Sequence, residues 1–116
     1  MKKKFEEEVW KLNNFHLLPE DLQIKFKKMD NNELGNRLSN YFSFQEFFTI
    51  FSTATFLLNI VYNGIEYSLF SEEKRFSIWS ENIDYAEEFF TSQDFFQKVL
   101  IENKTLEDIW SEIELI

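Results

Sequence analysis

Few side chains in this sequence could carry covalent or acid–base chemistry. There is no cysteine and a single histidine, His16. Without cysteine there is no thiolate nucleophile, thiolate metal site or disulfide, which suits a reducing compartment. One histidine cannot assemble a compact zinc or copper site. A Ser–His–acid triad would have to use His16, which falls in a connection between two expected helices with no nucleophile-elbow sequence beside it. Adjacent carboxylates are plentiful: Glu72 with Glu73, Glu87 with Glu88, Glu107 with Asp108. Acid–base catalysis needs two carboxyls whose surroundings push their pKa values apart. Neighbours on alternating or amphipathic stretches are solvated instead. No stretch has the alternating oxygen ligands and central glycine of a calcium loop. Two glycines in all cannot build a phosphate-cradling loop. The chain is therefore not expected to be an enzyme, and no catalytic, metal-binding or cofactor-binding residue is expected.

What remains is charge. The net charge is −9 and its distribution is uneven. Residues 1–40 hold eight Lys/Arg and seven Asp/Glu, whereas residues 41–116 hold four and fourteen. An acidic surface of that size repels nucleic acid and attracts basic proteins. Trp79 and other aromatics could stack on bases, but stacking platforms are embedded in positive charge, and these are not. Glu66, Glu72, Glu73, Glu81, Asp84, Glu87 and Glu88 are the candidate contacts for a basic protein partner.

These acids must be positioned by the strands around Asn63-Gly64. Asn-Gly between two runs rich in β-branched and aromatic residues is a strong hairpin signal, because a type I′ turn needs positive φ at both central residues. The turn sets Tyr62 opposite Ile65, Ile60 opposite Tyr67 and Leu58 opposite Leu69, one continuous apolar face. A second tight turn at Glu73-Lys74 sets Glu72 opposite Arg75 and Leu69 opposite Ile78, keeping the same parity. Phe70 and Trp79 fall on the opposite face. There they either cover a second layer, the preferred reading, or anchor an interface. Residues 83–90 fit a fourth strand or a helix.

Helices flank this meander. Residues 4–14 have helical spacing of Phe5, Val9 and Trp10. Pro19-Glu20-Asp21 starts a helix with Leu22, Phe26 and Met29 on one face. A third helical segment is expected over about 32–42, weakened by Gly35. Ser43 with Glu46 matches a capping box that opens a helix bearing Phe44, Phe47, Phe48 and Phe51, read as core. Thr91-Ser92-Gln-Asp94 caps a short helix with Phe95 and Phe96. Thr105-Leu-Glu-Asp108 caps a closing helix with Leu106, Ile109, Trp110 and Ile113 on one face.

The expected fold is α+β: N-terminal helices, a central antiparallel β-meander hinged at Asn63-Gly64, and two short C-terminal helices, in one domain spanning 1–116. Lys2, Lys3 and Lys4 look like the start of a secretory leader, but Glu6, Glu7 and Glu8 occupy its apolar region. The longest apolar stretch, 47–62, is interrupted by Thr, Ser and Asn and is too short to span a bilayer. A soluble, cytoplasmic protein is expected.

Three stretches carry a resemblance: Phe70-Ser-Glu-Glu-Lys-Arg-Phe-Ser-Ile-Trp79, Ser92-Gln-Asp-Phe-Phe96, and Ile101-Glu-Asn-Lys-Thr-Leu-Glu-Asp-Ile-Trp-Ser-Glu-Ile-Glu114. Together, over about 56–116, they resemble the endings of small immunity proteins of contact-dependent or polymorphic toxin systems and of small phage accessory proteins. The first likeness implies a cytosolic inhibitor of one cognate toxin domain. The second implies a phage-encoded blocker of a host-defence complex, of the anti-CRISPR type, acting by occlusion or nucleic-acid mimicry.

Overall fold

A computed structural model describes residues 15–116. The helix expected over 4–14 lies outside the described residues. The rest is an α+β arrangement of two layers. Three helices, α1 (Glu20–Asp30), α2 (Phe44–Thr53) and α3 (Ser92–Lys98), pack on one face of a five-stranded antiparallel sheet. Its strands are β1 (Phe56–Tyr62), β2 (Ile65–Glu72), β3 (Arg75–Ser80), β4 (Tyr85–Phe89) and β5 (Glu114–Leu115), in the spatial order β4-β3-β2-β1-β5.

The first hairpin has the expected register. Tyr62 pairs with Ile65, Ile60 with Tyr67 and Leu58 with Leu69. Asn63 and Gly64 stand at φ 51° and 78°, both in the left-handed region that the two-residue turn demands. The second turn keeps the parity, with Glu72 opposite Arg75 and Leu69 opposite Ile78. Residues 85–89 resolve to a strand, pairing Phe76 with Phe89 and Ser80 with Tyr85. Strand geometry wins there because Tyr85, Glu87 and Phe89 alternate onto the helix-facing side, where Phe89 meets the Phe95 ring edge-to-face with 6.1 Å between centroids.

The core lies between the layers. Phe51 of α2 is its centre, fully buried and in ring contact with Phe47, Phe56, Phe76, Phe95 and Phe96. Phe26 of α1 meets Phe56 edge-on at 5.4 Å. The capping box opens α2 as read: Ser43 Oγ accepts from the Glu46 N–H, and Glu46 Oε1 accepts from the Ser43 N–H. Thr91 Oγ1 likewise accepts from the Asp94 N–H and opens α3.

Two expected helices do not form, so among the described residues two helices precede the sheet and one follows it. Over 32–42 the chain instead makes turns and a single 3-10 turn, Leu38–Asn40. Asn32 at φ 55° and Gly35 at φ 91° leave the helical region. Their loop is held by Tyr41, whose hydroxyl accepts from the Leu34 N–H, and by Asn40 Nδ2, which donates to the Leu34 carbonyl. The closing helix is also absent. Its cap is built, with Thr105 and Asp108 exchanging side-chain-to-backbone bonds, but only the 3-10 turn Trp110–Glu112 follows. Long-range backbone bonds take the segment over. The Leu38 N–H donates to the Ile113 carbonyl and the Leu115 N–H to the Asn36 carbonyl, while β5 pairs with Ile60 and Val61 of β1. Trp110 Nε1 adds a bond to the Phe42 carbonyl.

Candidate partner-binding surface

The sheet has two faces and, because its hairpins alternate, two ends. One end carries the Asn63-Gly64 turn and the 81–84 turn. The other carries the Glu73-Lys74 turn. The seven candidate acids divide between these ends, which the six-residue rise from Glu66 to Glu72 sets about 20 Å apart. They do not form a single cluster.

At the first end Glu66, Glu81 and Asp84 are exposed. None makes an ion pair with the described residues. The turn that holds two of them is tied down: Asn82 Oδ1 accepts from the Glu66 N–H at 2.9 Å, and Ser80 Oγ accepts from the Asn82 N–H at 3.2 Å. Two further acids, which the strand pattern alone does not bring here, join them. Glu102 accepts from Asn63 Nδ2 at 2.9 Å, and Glu114 is carried in by β5, opposite Val61.

The second end is partly neutralised. Arg75 Nε stands 3.1 Å from Glu88 Oε2 and 3.5 Å from Glu72 Oε1, so one guanidinium answers two of the candidates. Lys74 is exposed beside Glu73 in the turn. Behind this turn lies an open depression of about 410 Å³ between the end of α2 and residues 90–92. Its serine hydroxyls are committed to the chain: Ser71 Oγ donates to carbonyls of Phe51 and Ala54, and Ser52 Oγ bonds the Phe48 carbonyl and Ser92 Oγ. Their role is to close α2 onto β2.

Glu87 is the outlier. Its register partner is the buried Ile78, so it sits on the helix-facing side, at the free edge of β4. There it adds to the burial that pushes the Tyr85 hydroxyl well above the usual tyrosine range. Tyr85 in turn stands edge-on to Tyr67, itself raised chiefly by burial. Glu87 therefore belongs to a tyrosine-lined edge and is set apart from the other six acids.

Phe70 and Trp79 were expected to cover a second layer. Among the described residues no element covers them, and the helices meet the sheet through Phe56, Phe76 and Phe89 on the other side. The open face has a regular layout. One row across it reads Leu57, Phe70, Ser77, Glu88; the next reads Asn59, Ser68, Trp79, Ala86. Leu57, Val61, Phe70 and Trp79 are half-buried on it and stand outside the core cluster.

His16 is exposed on the 3-10 turn Phe15–Leu17. No group of three or more His, Asp or Glu side chains that could hold a metal ion occurs among the described residues. No described helix is long and apolar enough to cross a membrane. Comparison with protein-family models, with curated proteins and with solved structures finds no match.

Proposed function

We propose that this protein is a stoichiometric inhibitor of the immunity-protein kind, neutralising a basic toxin domain by binding it in the cytosol. The observation that carries this reading is the end of the sheet where Glu66 of β2, and Glu81 and Asp84 on the hydrogen-bonded turn beside it, stand exposed without ion pairs among the described residues. The backbone that carries these carboxylates is held in place, so it loses little freedom when a cationic surface arrives. Their field also raises the rate of encounter and fixes orientation. The resemblance of residues 56–116 to immunity proteins supports the same reading, since that stretch contributes the whole sheet. No catalytic step is assigned to the chain; inhibition would be by occlusion.

The direct test is co-expression with the product of the adjacent gene, followed by co-purification in rising salt. A complex with one copy of each chain, weakening steeply between about 50 and 500 mM salt, is the expected result. Absence of any complex at low salt would overturn the reading. An adjacent set of prophage genes, with binding to a host-defence effector in its place, would move the target class while keeping the inhibitor.

A further inference from the structure

The inhibitor reading leaves open which surface meets the partner. On the open face of the sheet, half-buried apolar side chains stand next to acids that make no ion pair among the described residues. Trp79 lies between Ser68 on β2 and Ala86 on β4. Small neighbours leave the indole standing above the sheet. Phe70 and Leu57 occupy the adjoining row. Tryptophan surrounded by polar and charged rim residues is the arrangement in which binding energy concentrates at protein interfaces.

Three alternatives can be weighed from the same residues. Strand addition at the β4 edge is opposed by its shortness, five residues, and by the adjacent carboxylates Glu87 and Glu88. A second copy of this chain would set Glu66, Glu88 and Glu114 against their own counterparts, with Arg75 beside Glu88 and Arg37 bridged to Glu114 to answer them among the described residues, and like charges facing each other across an interface oppose association. A neutral apolar partner would leave those acids facing nothing. A basic protein satisfies both the centre and the rim.

Size points the same way. Four strands about 4.8 Å apart and about 20 Å long offer roughly 400 Å² of flat surface. A stable interface takes about 800 Å² per partner. The partner must therefore overhang the face and reach the acids at its ends.

We infer that the open sheet face, with Trp79 at its centre and Glu66, Glu81 and Asp84 along one border, is the docking surface for a basic protein domain. The occupant presents an apolar patch ringed by lysine and arginine. This rests on the inhibitor reading above, and the experiment separates the two. The probe is the adjacent-gene product, bound to the wild-type chain at low salt, with side-chain accessibility read by hydroxyl-radical footprinting. Protection of Trp79 and Phe70 is expected, with Ile24, exposed on α1, unchanged. Trp79→Ala should weaken binding at least about 30-fold, and Ile24→Ala less than about twofold. A complex in which Trp79 remains as reactive as in the free chain would overturn the docking face while leaving the inhibitor intact. Failure to form any complex would overturn both. Concentration-dependent protection of Trp79 in the chain alone would make a second copy the occupant and would also overturn the proposal.

Discussion

The two faces of the sheet are built from the same strands, one residue out of phase, and they do opposite things. The helix-facing side takes Phe56, Leu58, Ile60, Tyr67, Leu69, Phe76 and Ile78 out of water. The open side keeps Trp79, Phe70, Leu57 and Val61 half in water and sets carboxylates at their borders. Apolar area on the first face is spent on folding. Apolar area on the second contributes little to folding and is available for association. Antiparallel sheets tolerate this division because their hydrogen bonding does not require both faces to be covered. An open face normally alternates in polar residues, and a tryptophan and a phenylalanine there are what set this one apart.

The largest effect that would test this division is truncation at the centre of the core. Phe51→Ala removes a ring that touches five others and leaves a cavity between the layers. A loss of about 3–5 kcal/mol is expected from denaturant unfolding, a large part of the total stability of a chain this size. Trp79→Ala, which deletes more atoms, should cost about 1 kcal/mol or less in the same measurement, because its ring is only half-buried and packs on one layer. Equal losses from the two substitutions would mean that the open face is in fact covered.

The hairpin comes next, because it keeps the two faces in phase. Gly64 has no atom within 4 Å of where a side chain would begin, so space is no obstacle to alanine there. Its φ of 78° is the obstacle. Gly64→Ala should cost about 1–2 kcal/mol through backbone strain alone. Gly64→Asn should cost less, since asparagine tolerates the left-handed region. Thermal unfolding of the two variants decides between strain and crowding.

What could be read from the sequence follows the same local-versus-distant line. The hairpin register, the α2 capping box and the Phe95–Phe96 helix are each specified within a few residues, and each forms as read. The segments 32–42 and 105–113 carry helical spacing too, but their backbones bond to each other and to β1. Leu38, Ile113, Asn36 and Leu115 are nearly eighty positions apart, and no local pattern records that pairing. The acids divide in the same way. Alternation places Glu66, Glu72 and Glu88 on one face and separates Glu87 from them. That Arg75 answers both Glu72 and Glu88, and that β5 brings Glu114 beside Val61, are consequences of strand order. Glu102 joins only because its loop folds back to Asn63.

A smaller effect concerns the acids on the open side. Replacing Glu66, Glu81 and Asp84 together by their amides should leave stability within about 0.5 kcal/mol, since none is paired within the described chain. Association with the basic partner should slow by about tenfold at low salt and by much less at high salt. Stopped-flow rates across a salt series give both numbers. A salt-independent loss would mean that these side chains act by shape.

The smallest effect belongs to an ion pair that joins two helices, where charge has a structural task. Lys25 Nζ of α1 stands 2.6 Å from Glu46 Oε2 of α2. The Lys25 hydrogen bond, then that from the Ser43 backbone, hold the Glu46 carboxyl below its ordinary value of 4.5. Both partners are partly solvated, so the pair is worth about 0.5 kcal/mol or less. A carboxyl whose folded pKa is lowered contributes its full stability above the unfolded value, and that contribution drains as pH falls through the folded one. Glu46→Gln keeps an acceptor for the Ser43 N–H but removes the charge. Its deficit against the wild type should therefore be present at pH 7 and shrink below the ordinary value of 4.5, as pH falls through the lowered folded value. A Glu46→Gln deficit that stays the same from pH 7 down to low pH would overturn the assignment of a structural charge to the α1–α2 contact.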